Sequence, residues 1–166
     1  MYFKTLSIPY LKTIQDQVLN VVPQEAFSTE GSLHSYSTKF KSLPSIAKLL
    51  VQNKMHKFVI DITLVCLPPH QELGIHTDGD LRGLNIPILN CENTYIIWYT
   101  ALQESRQVSQ EDRYFFSIDK NHCVERCRTE MNQAKFVDLQ PLHGAINPND
   151  TYRLLLSIKL GHSFKF

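Results

Sequence analysis

The stretch Lys135-Phe136-Val137-Asp138-Leu139-Gln140-Pro141-Leu142-His143-Gly144-Ala145-Ile146-Asn147-Pro148-Asn149-Asp150-Thr151-Tyr152-Arg153-Leu154-Leu155-Leu156-Ser157-Ile158-Lys159-Leu160 decides how the chain is read. Two apolar runs flank Asn147 to Asp150, a dense turn signal, and the pattern predicts two antiparallel strands joined as a hairpin. On the second run Arg153, Leu155 and Ser157 share one face, while Tyr152, Leu154, Leu156, Ile158 and Leu160 share the other. The second face is the more apolar and is expected to pack. Arg153 then points into water unless an anion inside the protein gives its guanidinium a partner. For His143 and Arg153 to face one cavity, the connection between their strands must hold an odd number of loop residues.

Working upstream, short strand-like runs recur at 58–66, around His76, and at 84–89, 95–101, 114–118 and 136–139. Short strands separated by regular turn signals predict a mainly β fold, a cupin-like jelly roll or double-stranded β-helix. Trp98 and Tyr99 lie in one such run and are expected to pack in the core. The first third of the chain has a different period. Ser7-Ile8-Pro9 reads as a helix start, with Ser7 as cap and Pro9 in the first turn, followed by Leu11, Ile14, Val18 and Val22 on one stripe. Ser42-Leu43-Pro44 repeats that opening before Ile46, Leu49 and Leu50, and the second helix should end near Asn53. Residues 27–39 between them are polar and read as irregular. The expectation is one domain, 1–166, with a helical part at 1–56 and a β core at 57–166, the two helices covering one outer sheet face.

Composition excludes several classes of partner. Lys and Arg number 17 against 16 Asp and Glu, a formal charge of +1, which gives no electrostatic footprint for nucleic acid or an anionic membrane. Met1-Tyr2-Phe3-Lys4-Thr5-Leu6-Ser7 lacks the shape of a signal peptide, and no apolar run is long enough to span a bilayer, so a cytoplasmic protein is expected. Cys66, Cys91, Cys123 and Cys127 form no disulfide framework. His122, Cys123 and Cys127 lack the second ligand pair of a structural zinc site and read as part of a charged loop.

Ile75-His76-Thr77-Asp78-Gly79 carries the chemistry, together with His143 sixty-seven residues after His76. Two neutral imidazoles and one carboxylate on one face of Fe(II) leave the opposite positions open for a co-substrate and dioxygen. His76 and Asp78 are two apart, so on a strand both project from one face. A second pair, His70-Gln71-Glu72, follows Pro68-Pro69 and is expected at the surface.

The run Gly74-Ile75-His76-Thr77-Asp78-Gly79, then Arg82-Gly83-Leu84-Asn85-Ile86-Pro87-Ile88-Leu89, with the distal His143 and Arg153 ten residues on, resembles the Fe(II)/2-oxoglutarate-dependent oxygenases. Within them it looks most like the aspartyl/asparaginyl β-hydroxylase branch, then the prolyl-hydroxylase-like members. The resemblance implies that His76, Asp78 and His143 hold Fe(II) and that Arg153 binds the far carboxylate of 2-oxoglutarate. Ser157, on the same face as Arg153, either adds a hydroxyl there or bonds backbone as a buried strand serine; Arg82 and Asn85 are in place to reach the co-substrate or the substrate, the alternative for Arg82 being solvent. The activity implied would be hydroxylation of an amino-acid side chain, in a small molecule, peptide or protein, with dioxygen consumed. Residues that choose the substrate are expected in loops such as 103–113. Two other classes stay open: a metal-binding cupin of another activity, in which Arg153 is dispensable, and a non-enzymatic β-sandwich that binds a partner without metal.

Overall fold

The computed structural model describes residues 1–22, 31–33, 37–102, 107–108 and 116–166. Their strands are β1 (Phe3–Thr5), β2 (Gly31–Leu33), β3 (Val59–Leu67), β4 (Gln71–Thr77), β5 (Arg82–Leu89), β6 (Tyr95–Ala101), β7 (Gln107–Val108), β8 (Phe116–Ile118), β9 (Cys123–Glu130), β10 (Lys135–Asp138), β11 (His143–Asn147) and β12 (Arg153–Leu160). They form two six-stranded sheets, in the orders β1-β10-β5-β12-β3-β2 and β7-β8-β4-β11-β6-β9, with every ladder antiparallel. From β3 to β6, and again from β9 to β12, successive strands alternate between the sheets. That alternation winds the chain into a double-stranded β-helix, the mainly β architecture expected from the strand pattern.

The last two strands do not form the expected hairpin. β11 pairs with β4 and β6 in one sheet, and β12 pairs with β3 and β5 in the other. The turn residues at 148–152 therefore carry the chain across the sandwich. Asn147, fully buried, shows why. Its Nδ2 donates to the carbonyls of Leu67 (2.9 Å), Pro68 (2.9 Å) and Thr151 (2.8 Å), and its Oδ1 accepts from the Asn149 N–H at 3.2 Å. One side chain thus ties the β11–β12 crossing to the neighbouring β3–β4 crossing at Pro68-Pro69. The odd-length requirement belongs to a hairpin and does not govern a crossing between sheets; Arg153 lies on the same face of β12 as Leu155.

That alternation divides two cores. Leu154, Leu156, Ile158 and Leu160 of β12 pack with Ile62, Leu64, Leu84 and Ile86 beneath the helices, against Ile14, Val18, Ile46, Leu49 and Leu50. Leu155 turns the other way and packs between the sheets with Ile96, Trp98, Met131, Val137 and Leu139. Tyr2 and Phe3 stack on the Trp98 ring at 5.4 and 5.8 Å, bringing β1 to the edge of the sheet that holds β12, which has the longer strands and is the larger of the two.

Among the described residues three α-helices replace the two helices expected: α1 (Leu11–Val21), α2 (Ser37–Ser42) and α3 (Pro44–Gln52). α1 starts after Tyr10 rather than at Ser7, without a side-chain cap, whereas α3 opens with Pro44 in its first turn as its sequence indicates. Ser42 is the last residue of α2, its hydroxyl donating to the Lys39 carbonyl at 2.8 Å, so it closes one helix instead of capping the next. Within 27–39, β2 and the start of α2 are ordered elements; 27–30 and 34–36 lie outside the described residues. Residues 123–130, read as a charged loop, form the edge strand β9 along β6. An edge strand half in solvent needs few apolar residues, and its charges discourage pairing with another chain. Of the run at 114–118, Phe116–Ile118 is the described strand. No helix among the described residues is long and apolar enough to cross a membrane.

Candidate metal centre

His76 on β4 and His143 on β11 are direct cross-strand partners, with ring centroids 4.5 Å apart. Both are buried. Each imidazole is oriented by a backbone carbonyl two residues upstream: His76 Nδ1 lies 2.7 Å from Gly74 O and His143 Nδ1 lies 3.0 Å from Pro141 O. Carbonyls only accept, so Nδ1 carries the proton in both rings and Nε2 keeps its lone pair for a metal. The β4–β11 ladder slips register between His143 and Ala145, beside Gly144. A Cβ on Gly144 would lie 3.0 Å from the Leu73 carbonyl oxygen, so a side chain there would push on the close strand approach that seats His143.

Asp78 reaches the histidines by a different route from the one strand alternation suggests. β4 ends at Thr77, and Asp78 is the first residue beyond it, fixed by its N–H to the Leu139 carbonyl at 3.1 Å. Gly79 follows with φ of 65°, the turn that its place in the sequence calls for. Asp78 Oδ1 stands 3.7 Å from His76 Nε2, and ligand atoms of His76, Asp78 and His143 all lie within 4.8 Å of one another. Among the described residues no other group of His, Cys, Asp or Glu converges in this way. Two imidazoles whose Nε2 atoms face a carboxylate fit, with it, a divalent transition metal such as iron.

A residue the sequence did not mark joins them. Lys159 Nζ lies 3.2 Å from Asp78 Oδ2. Its position on β12, two residues beyond Ser157 and on the same face, was the available signal, but a lysine near a strand end reads as solvated.

The larger sheet lays out its inner face in register rows. Lys159 lies between Gly83 and Asp61; one row deeper, Ser157 lies between Asn85 and Thr63; next, Leu155 lies between Pro87 and Val65; deepest, Arg153 lies beside Leu67. Ser157, Asn85 and Thr63 are buried, and Asn85 Oδ1 finds no hydrogen-bond partner among the described residues. Arg153 is 1% exposed, and its Nε and Nη1 likewise find none. Burial disfavours its charged form, with the thiols of Cys91 and Cys66 the groups that oppose this. A buried guanidinium without an acceptor is costly, and an anionic ligand is what would satisfy it.

Arg82 is placed otherwise. Its Nη1 lies 2.8 Å from Asp138 Oδ1, its register partner on β10, and donates to the Leu81 carbonyl at 3.2 Å. His70 and Glu72 lie at the surface as expected, paired with Asp150 and Lys120 at 2.8 and 2.7 Å. Trp98 is fully buried, opposite His143, and donates to the Asp138 carbonyl at 2.8 Å. Residues 103–106 and 109–113, in the loop expected to choose the substrate, lie outside the described residues.

No family model matches the chain. No curated protein matches it either. Solved structures do. EvdMO1 superposes with a TM-score of 0.58 at 12% identity, over 98% of this chain and 48% of that one. The chain thus spans about half the length of EvdMO1, and the likeness is one of fold. AviO1 from Streptomyces viridochromogenes Tue57 is similar with a TM-score of 0.49 at 12% identity, over 96% of this chain and 89% of that one. ThoJ, described as a non-heme monooxygenase, is similar with a TM-score of 0.43 at 16% identity, over 91% and 66%.

Proposed function

We propose that the chain is a non-haem Fe(II) oxygenase, cytoplasmic, that takes 2-oxoglutarate as co-substrate and hydroxylates an amino-acid side chain, free or within a peptide or protein. The reading rests on one combination: three side chains with metal-ligating atoms converge, and the inner face of the adjoining sheet buries an arginine whose Nε and Nη1 find no acceptor among the described residues. His76 and His143 would offer Nε2 and Asp78 one carboxylate oxygen. Arg153 would take the far carboxylate, a charge-assisted contact worth about 1.5–3 kcal/mol. Ser157 and Asn85 line the way between, Leu155 and Val65 keep water from the methylene chain, and Asn85 Oδ1 is open to a ligand's donor. Iron with the bound keto acid supplies dioxygen activation at an unactivated carbon; the protein supplies placement and a dry cavity.

Anaerobic titration with Fe(II) and 2-oxoglutarate tests this through the weak visible charge-transfer band of the chelate. The band should form in the wild type, vanish in His76→Ala and Asp78→Ala, and need roughly tenfold or more 2-oxoglutarate in Arg153→Ala. Iron binding without a band would point to a metal-binding cupin of another activity. No iron binding would leave a non-enzymatic β-sandwich.

A further inference from the structure

We propose that Lys159 is a positioning residue that limits Asp78 to one ligating oxygen and so keeps a coordination position open for the co-substrate; the inference rests on the metal centre proposed above. The two oxygens of Asp78 face different partners. Oδ1 lies 3.7 Å from His76 Nε2, on the side of the histidines, and Oδ2 lies 3.2 Å from Lys159 Nζ. A carboxylate without such a partner can close on a metal with both oxygens, and the second oxygen then takes a position that a facial two-histidine, one-carboxylate site reserves for exogenous ligands. An ammonium has donors and no lone pair. It can occupy Oδ2 but cannot ligate the metal itself.

The fold commits Lys159 to this partner. β12 lies between β3 and β5, so the lysine stem rises from the interior of a sheet rather than from a loop. Its register neighbour on one side is Gly83, which has no side chain to offer. On the other side is Asp61, whose Oδ1 accepts from the Ile62 N–H at 2.8 Å and whose Oδ2 accepts from the Thr63 hydroxyl at 2.7 Å. With that nearer carboxylate engaged, the ammonium reaches across to Asp78. The pair is mostly shielded, Lys159 being 28% and Asp78 13% exposed at the side chain, so water competes weakly for Oδ2.

The test uses the full chain loaded with Co(II), whose visible d–d bands report coordination number, followed by titration with 2-oxoglutarate. Lys159→Met keeps the stem and removes the donors. It should bind Co(II) at least as tightly as the wild type, show altered d–d bands, and bind 2-oxoglutarate at least tenfold more weakly. Lys159→Arg, which restores a cationic donor, should return both readings toward wild type. Lys159→Gln is read in the same way if metal-free Lys159→Met melts well below the wild type. Unchanged bands together with unchanged 2-oxoglutarate affinity in the uncharged variants would overturn the role of Lys159 alone. Failure of the wild type to bind Co(II) would overturn the metal centre and this inference with it.

Discussion

Burial drives the His143 imidazole toward its neutral form, from an ordinary value near 6.5 down to about 4, with desolvation the main cause and neighbouring His76 the next. A group that resists protonation only when folded makes stability depend on pH. Above about pH 6.5 both folded and unfolded states are neutral at this position; as pH falls toward 4 the unfolded chain takes up a proton that the folded one refuses, and stability drops. The urea midpoint of the metal-free protein should therefore fall through that window, and His143→Gln should flatten the fall. Arg153 makes the opposite trade. Its guanidinium is fully buried with two nitrogens that find no partner among the described residues, so Arg153→Met should raise the melting temperature of the protein without co-substrate while removing any extra stability that 2-oxoglutarate would confer. A lower melting temperature would mean that the arginine already has its partner. Gly144→Ala should cost about 1–3 kcal/mol and weaken metal binding, because the new methyl meets the Leu73 carbonyl at 3.0 Å beside His143. At this scale the meeting of His76, Asp78 and His143 is legible in sequence, because a His-x-Asp pair followed by a distal His is the pattern of a metal site. Lys159 is not, because its meaning comes from a carboxylate eighty-one positions away.

Between elements, the corner at 148–152 shows where sequence reading ends. Asn147-Pro148-Asn149-Asp150 declares a turn, and a turn is there, but nothing local tells a reversal within one sheet from a passage to the other. The choice is made by Asn147 bonding to Leu67 and Pro68, eighty positions upstream. Asn147→Ala should accordingly destabilise the protein by about 2–4 kcal/mol, since it strands buried carbonyls at two crossings at once; chemical denaturation of the variant measures it. A loss below about 1 kcal/mol would show that the crossings hold without it. β9 escapes sequence reading for the converse reason: Glu125, Arg126 and Arg128 suit an edge strand and a loop equally well. The apolar stripes of α1 and α3 are legible, because each helix buries a single face against the larger sheet.

For the molecule as a whole, His76, Asp78 and His143 come from two strands and a turn of one sheet, and the rows beneath them come from the other, so a metal held there would bind the folded state and not the unfolded chain. A divalent metal at a hundredfold over its dissociation constant should add about 2.7 kcal/mol, or roughly 5–10 °C in melting temperature. The shift should be absent in His76→Ala, and its persistence there would place the metal elsewhere. That the fold is mainly β, in two sheets of short strands, follows from the period of the apolar residues. Which strand lies beside which does not, because β12 pairs with residues as far back as Val59. This order has a consequence for synthesis. As a nascent chain leaves the ribosome, β3 and β5 emerge long before the strand that belongs between them, and the larger sheet stays split down its middle until β12 appears. A chain made as far as Asn147 already carries His76, Asp78 and His143, but neither the arginine beneath them nor the lysine that steers the carboxylate.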